Sequence, residues 1–167
     1  MYNIKADAYP QLKNVITNFQ QWNRQGVADS KGAAVFLLVY EHLKKTLGGQ
    51  PPRKITTAEA IEAFSVTAAY MNKHFGKDDI ALGDLQKLVR GNKELPIWGL
   101  PDLLSPQWTE QQKNGILKSV GGDGYIMFVR FKKDELPIIE TVNMYGASAI
   151  PGNKHFDDQV NMYINQQ

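Results

Sequence analysis

The chain has 167 residues, 43% of them apolar and 22% charged, a globular composition that excludes extended disorder and a coiled coil. Its 19 basic and 17 acidic residues leave a net charge of +2, and no basic stripe is interleaved with aromatics, so no nucleic-acid partner is expected. The absence of cysteine excludes thiol catalysis, disulfides and cysteine-based zinc sites, and no apolar run approaches the roughly 20 residues that span a bilayer. One domain over residues 1–167 is expected, long enough to bury a core. The opening MYNIKADAYP lacks the basic region and apolar core of a signal peptide; taken literally it predicts a cytoplasmic chain, and taken as a piece of something longer it gives no address.

Residues 7–92 read as helical. ADAYPQLKNVITNFQQWNR sets Leu12, Val15, Ile16, Phe19 and Trp22 on one stripe, with Asp7 as cap, Pro10 tolerated in the first turn and Gly26 as the stop. DSKGAAVFLLVYEHLKKTLGG predicts a second helix capped by Asp29 or Ser30 and closed by Gly48; Ala33 to Tyr40 is apolar almost all round, so it should be deeply buried. The prolines of GGQPPRK forbid its continuation. In the third helix Thr56 and Glu59 form a capping box, Ile61, Phe64, Ala68, Met71 and Phe75 form the inner stripe, and Gly76 supplies a left-handed stop. A short helix is expected around Leu85 to Val89, then an irregular Pro/Gly-rich connector over 93–114 in which Trp98 and Trp108 act as anchors.

The period changes in residues 115–167. GYIMFVRF and PIIETVNMY read as strands joined by the turn KKDELP. The first is apolar on both faces apart from Arg130, which predicts a strand packed between layers. HFDDQVNMYINQQ opens a last helix with Phe156, Val160 and Tyr163 on one side. Helices first and strands second give the α+β class. An isolated hairpin is marginal in water, so either residues 113–120 add a third antiparallel strand or the hairpin pairs with strands absent from this chain.

The chemistry on offer is thin. His42, His74 and His155 fit no metal-ligand spacing, and neither a metal nor a cofactor is expected. His42 and His74 sit near helix C-termini, where an imidazole suits the dipole. His155 with Asp158 has the spacing of a base and its orienter, but capping and fastening of the loop is the favoured role, and Asp157 and Asp158 suit a helix start. The glycines of GGDG at 121–124 open a strand rather than a helix, so they belong to a turn and not a phosphate loop. Ser148 lies in no G-x-S-x-G elbow. Met127, Met144 and Met162 fall at core-like spacing.

The order of these short motifs resembles the C-terminal end of the penicillin acylase family, which includes penicillin acylases and acyl-homoserine-lactone acylases among the N-terminal-nucleophile hydrolases. The resemblance rests on Gly121, Gly122 and Asp123, on Tyr145, Gly146 and Ser148, and on Pro151, His155, Phe156, Asp158 and Gln159. Ala147 stands where the family usually has Gln, and Phe156 where it usually has Tyr. Upstream, ADSKGAAVFLLVYEHL is similar to a family helix that opens with Asp-Ser. LGDLQKLVRGNKELPIWGLPDLL is similar to its Arg-Gly-x-x-x-Leu-Pro segment through Arg90, Gly91, Leu95, Pro96 and Gly99.

What the resemblance implies is a scaffold portion of the αββα fold of such an enzyme, taken from the C-terminal part of its large chain. The family's nucleophile is an N-terminal Ser, Thr or Cys whose own amino group is the base. Neither Met1 nor Tyr2 can serve, and the oxyanion-stabilising Asn lies before the matched region. The motif residues named above are therefore expected to be structural, with none catalytic, and the chain inactive alone. Its implied partners are the remainder of the parent enzyme, the rest of the large chain and the small chain, with a homodimer through an exposed strand edge as a further expectation. The implied home of the parent is periplasmic or secreted. The alternatives are a non-catalytic binding module that covers its edge, and an independent hydrolase using Ser148, His155 and Asp158.

Overall fold

The computed structural model describes residues 1, 3–49 and 54–165, so Pro51 and Pro52 of the first connector, and Arg53, lie outside the described residues. Three helices come first: α1 (Lys13–Gln21), α2 (Lys31–Thr46) and α3 (Thr57–Phe75). Ser30 caps α2 by accepting from the Ala33 amide at 3.1 Å, and the helix closes into Gly48 at φ +69°. Thr56 and Glu59 form the capping box of α3, with the Thr56 amide donating to Glu59 Oε2 at 2.6 Å, and Gly76 stops it at φ +71°. Almost every residue from Ala33 to Tyr40 is buried. Phe19 of α1 meets Phe64 of α3 edge-on at 5.4 Å, in a core that also holds Val15, Ile16, Leu37 and Met71.

The entry to α1 differs from the expectation. Two 3₁₀ turns, Ala6–Ala8 and Pro10–Leu12, precede it, and Asp7 makes no cap; its carboxylate pairs with Lys13 at 2.7 Å. The helix also stops at Gln21, short of Gly26. Trp22 turns extended, packs against Phe36 with ring centroids 4.8 Å apart and tilted by 32°, and donates its indole N–H to the Gln25 carbonyl. Gly32 on α2 makes room for this, since a Cβ there would stand 2.3 Å from the Trp22 Cβ.

The helix expected over Leu85 to Val89 is corrected to a single turn, α4 (Leu82–Leu85), running into strand β1 (Gln86–Arg90). Gln86 and Leu88 are buried while Lys87 and Val89 are not, an alternation of period two that overrides the short apolar cluster. Gly91, at φ +57°, then turns the chain into β2 (Lys93–Pro96), with Leu88 opposite Leu95 and Arg90 opposite Lys93. The connector is therefore not irregular throughout, because it also holds β3 (Gln107–Gln111). The strand anticipated near 113–120 exists as β4 (Leu117–Gly122). It joins these strands rather than the hairpin, in a sheet ordered β2-β1-β4-β3 with β1 and β4 parallel.

The hairpin is β5 (Tyr125–Arg130) with β6 (Ile138–Asn143), antiparallel, followed by α5 (Val160–Ile164). α5 starts later than expected, since residues 155–159 form turns. Its Val160 and Tyr163 join Leu88, Ile97, Trp98, Val142 and Met144 in a second core. Trp98 stacks on Tyr163 at 5.3 Å and anchors the connector, whereas Trp108 is half exposed and anchors nothing comparable. β5 is not packed between layers: Phe128 is 66% and Met127 52% exposed, because no described element lies over them and only Ile126 and Val142 carry the hairpin base into the core. Met162 is likewise largely exposed, leaving Met144 as the methionine of the three that is buried. The class is α+β, helices followed by sheets and a short terminal helix.

Truncating the fully buried ring in Phe64→Ala is expected to lower stability by about 3–5 kcal/mol. Thr56→Ala, which removes the cap alone, should lower it by about 1 kcal/mol, both read from urea unfolding midpoints.

Candidate functional site

Two of the motif segments, the Arg-Gly segment and the loop after β6, meet beside β1 and β2. Arg90, the last residue of β1, extends under the loop between β6 and α5. Its Nη2 donates to the Ser148 carbonyl at 2.9 Å and its Nε to the Phe156 carbonyl at 3.2 Å. The guanidinium lies 3.9 Å from the Phe156 ring centroid and 4.8 Å from that of Tyr145, so one cation is held by two carbonyl dipoles and two aromatic faces. A planar fork suits this arrangement and a lysine ammonium does not. Gly91 is required by close approach as well as by its φ, since a Cβ there would touch the Phe156 ring at 3.0 Å. On β2, Lys93 reinforces the contact, reaching Asp157 at its carbonyl (3.2 Å) and its carboxylate (3.0 Å).

Within the loop the motif side chains and amides engage one another. The Ser148 amide donates to the His155 carbonyl at 3.0 Å, and Ser148 Oγ accepts from the Ile150 amide at 3.2 Å. His155 Nδ1 lies 2.7 Å from Asp158 Oδ2, and the His155 amide donates to Asn153 Oδ1 at 2.9 Å. Gly146 admits the crossing, for a Cβ there would fall 2.4 Å from the His155 carbonyl oxygen and 2.5 Å from Asp158 Oδ1. Gln159 fastens the base of the hairpin twice: its amide donates to the Tyr145 carbonyl at 3.1 Å, and its Oε1 accepts from the Asn143 amide at 2.6 Å. Ser148, His155 and Asp158 are thus brought into one loop, but the serine hydroxyl is bonded to backbone and the imidazole to the carboxylate. Among the described residues no hydrogen bond joins Ser148 Oγ to the His155 ring.

Gly121, Gly122 and Asp123 lie on the far side of the second core, at the end of β4 and the step into β5. Gly121 and Gly122 end β4, and the loop that they share with Asp123 and Gly124 opens β5 at Tyr125, as expected. Gly122 lets β3 approach, since a Cβ would stand 2.4 Å from the Pro106 carbonyl oxygen. Asp123 contributes its backbone: Tyr163 donates its hydroxyl hydrogen to the Asp123 carbonyl at 2.5 Å. A buried polar chain backs that bond, from Ser119 Oγ to Gln107 Oε1 at 2.6 Å and from Gln107 Nε2 to the Tyr163 oxygen at 3.5 Å. Burial pushes the Tyr163 phenol up from 10.0 to about 12. Gln107 and Ser119 were invisible in the sequence, while Arg90 was visible only as part of the Arg-Gly-x-x-x-Leu-Pro segment.

Among the described residues no group of three or more His, Cys, Asp or Glu side chains is arranged to hold a metal ion. No described helix is long and apolar enough to cross a membrane. What the arrangement does chemically is fix a loop and a hairpin base with charge-assisted, aromatic and backbone contacts, leaving no nucleophile facing a base. The profile of the family described as penicillin amidase matches residues 3–167, and the chain belongs to that family of amidohydrolases. No curated protein matches it.

Replacing Arg90 with Lys should leave the helical core folded while hydrogen exchange of the amides between 145 and 158 accelerates. Equal protection in the variant would show that the stack is dispensable. Tyr163 provides a pH test. A phenol whose folded value is raised contributes stability that is complete below 10.0 and is lost as pH rises through about 12. The alkaline fall in stability should therefore be shallower in Tyr163→Phe, as measured by urea midpoints across that interval.

Proposed function

We propose that these residues form the scaffold portion of a penicillin-acylase-like amidohydrolase, an enzyme that cleaves an acyl group from an amide such as a β-lactam side chain or an acyl-homoserine lactone. The attacking residue comes from outside this stretch. The rest of the large chain and the small chain are the partners, and the parent works in the periplasm or outside the cell. The observation that carries the reading is the loop of residues 145–159, where Tyr145, Ser148, His155, Asp158 and Gln159 hold one another and Arg90 rather than converging on a cleft. Arg90 is drawn from the family's Arg-Gly segment and the loop from its C-terminal motif, so the two stretches of resemblance serve one structural purpose.

Function as a self-contained binding module is less well supported. A module would be expected to cover its sheet edges, and here Tyr125, Phe128 and Ile139 are more than half exposed. The hairpin instead suits a position in the core sheet of the αββα fold, with its missing neighbours drawn from the rest of the enzyme.

The purified 167-residue chain is expected to release no product from N-acyl substrates such as phenylacetyl amides or acyl-homoserine lactones. Repeated turnover abolished by a substitution at Ser148 or His155 would overturn the scaffold reading and install an independent hydrolase in its place.

A further inference from the structure

Asn114-Gly115, in the turn between β3 and β4, is the single Asn-Gly step in the sequence. Such a step is chemically labile, because glycine has no Cβ to hinder attack by its own amide nitrogen on the preceding side chain. The nitrogen gives up its proton and bonds to the asparagine Cγ, ammonia leaves, and a succinimide ring closes. Water then opens either carbonyl, leaving aspartate or a β-linked isoaspartate. Here both reacting groups are engaged: the Gly115 N–H donates to the Gln112 carbonyl at 3.0 Å, and Asn114 Oδ1 accepts from the Ile116 amide at 3.1 Å. Helix α3 closes over the same turn. Tyr70 donates its hydroxyl hydrogen to the Gly115 carbonyl at 2.8 Å, and its ring packs against that of His74 with centroids 4.6 Å apart. A Cβ on Gly115 would fall 2.3 Å from His74 Cγ. Gly115 is thus buried, at φ +85°, while Asn114 is exposed to the water that the second step consumes.

We propose that Asn114 is a site of spontaneous deamidation whose rate is set by α3, with Tyr70 and His74 holding the Gly115 peptide where the succinimide ring does not close. Attack requires the nitrogen to leave the Gln112 carbonyl and the Asn114 side chain to swing over it. The reaction therefore runs through local opening of the turn, and its rate follows how often the Tyr70 contact breaks. Either product alters the sheet. Aspartate places a negative charge beside Lys113. Isoaspartate routes the backbone through the side chain and lengthens the turn by one carbon, just beyond the pair Gln111 and Leu117. β4 pairs with both β1 and β3, and its Ser119 holds Gln107, so a longer turn disturbs the register behind the buried polar chain to Tyr163. Neither the amidase chemistry nor the open edges of the hairpin enter this step.

Peptide mapping of the purified chain, incubated at fixed pH and temperature, resolves the asparagine, aspartate and isoaspartate forms of position 114. The folded wild type is expected to deamidate there at least about tenfold more slowly than the same chain unfolded in urea. Tyr70→Phe keeps the ring against His74 and removes the hydroxyl alone. It should accelerate the reaction in the folded chain by about fivefold, the effect of one hydrogen bond on the population of the opened turn. Thr56→Ala, which removes a cap at the other end of α3, should leave the rate unchanged. Circular dichroism establishes that each variant is folded. Should Tyr70→Phe unfold, His74→Ala carries the same test, and the comparison with urea needs no variant. Equal rates in the folded and unfolded chain, no acceleration when the α3 contact is removed, or an equal acceleration in Thr56→Ala overturns the proposal.

Discussion

The guanidinium of Arg90 is the contact on which the C-terminal third of the molecule depends. The loop between β6 and α5 has little regular structure of its own, so its carbonyls find partners outside a ladder or helix. Arg90 supplies donors to two of them and a flat cationic surface to the rings of Tyr145 and Phe156. The backbone of Arg90 is fixed by its pairing with Lys93 across the Gly91 turn, so its position does not depend on rotamer preference alone. A loop fixed from below in this way becomes a rigid spacer between the hairpin and the terminal helix. It is the ring face of Phe156 that meets the guanidinium.

A second set of contacts sets the direction of the hairpin. Gln159 holds β6 at Asn143, and Tyr163 holds the entry to β5 at Asp123. Both come from the turn and helix that the Arg90 loop delivers, so the terminal segment grips the two strands at their shared base. Behind Tyr163, Gln107 and Ser119 satisfy each other in a buried environment where an unpaired amide or hydroxyl would be destabilising. The grip is therefore tied to β3 and β4 as well. Its outer half carries an exposed ion pair, Arg130 with Glu140 at 3.7 Å, a contact of small net worth.

The helical half was largely legible from sequence because its signals are local. Ser30, Thr56 with Glu59, Gly48 and Gly76 act on residues within one turn of themselves, and the apolar stripes need no partner to be recognised. Leu85 to Val89 was misread because five residues cannot separate one turn of helix from a strand; the decision lies with Leu95 across the Gly91 turn. The fate of β4 was equally non-local. Its third-strand character was visible, but its choice of β1 and β3 over the hairpin depends on Gly121 and Gly122 admitting Trp108 and Pro106 at close range. For the site, the sequence identified the loop residues without their anchor. An arginine at a strand end looks like an ordinary solvated charge until two aromatic rings are placed over it.

The polar and apolar parts of the C-terminal third have opposite standing. The loop is fastened within the same chain: Arg90 holds its carbonyls, Lys93 pairs with Asp157, His155 pairs with Asp158, and its segments come into close approach at Gly91 and Gly146. The hairpin is incomplete. In β5, Tyr125, Met127 and Val129 line one face and Phe128 the other, and burial is the source of stability that such side chains offer. The fastened loop holds this apolar strand pair in a set orientation for any strand that completes its sheet. Pre-orientation lowers the entropic cost of that completion, because the register is already set by Gln159 and Tyr163 before any neighbouring strand arrives.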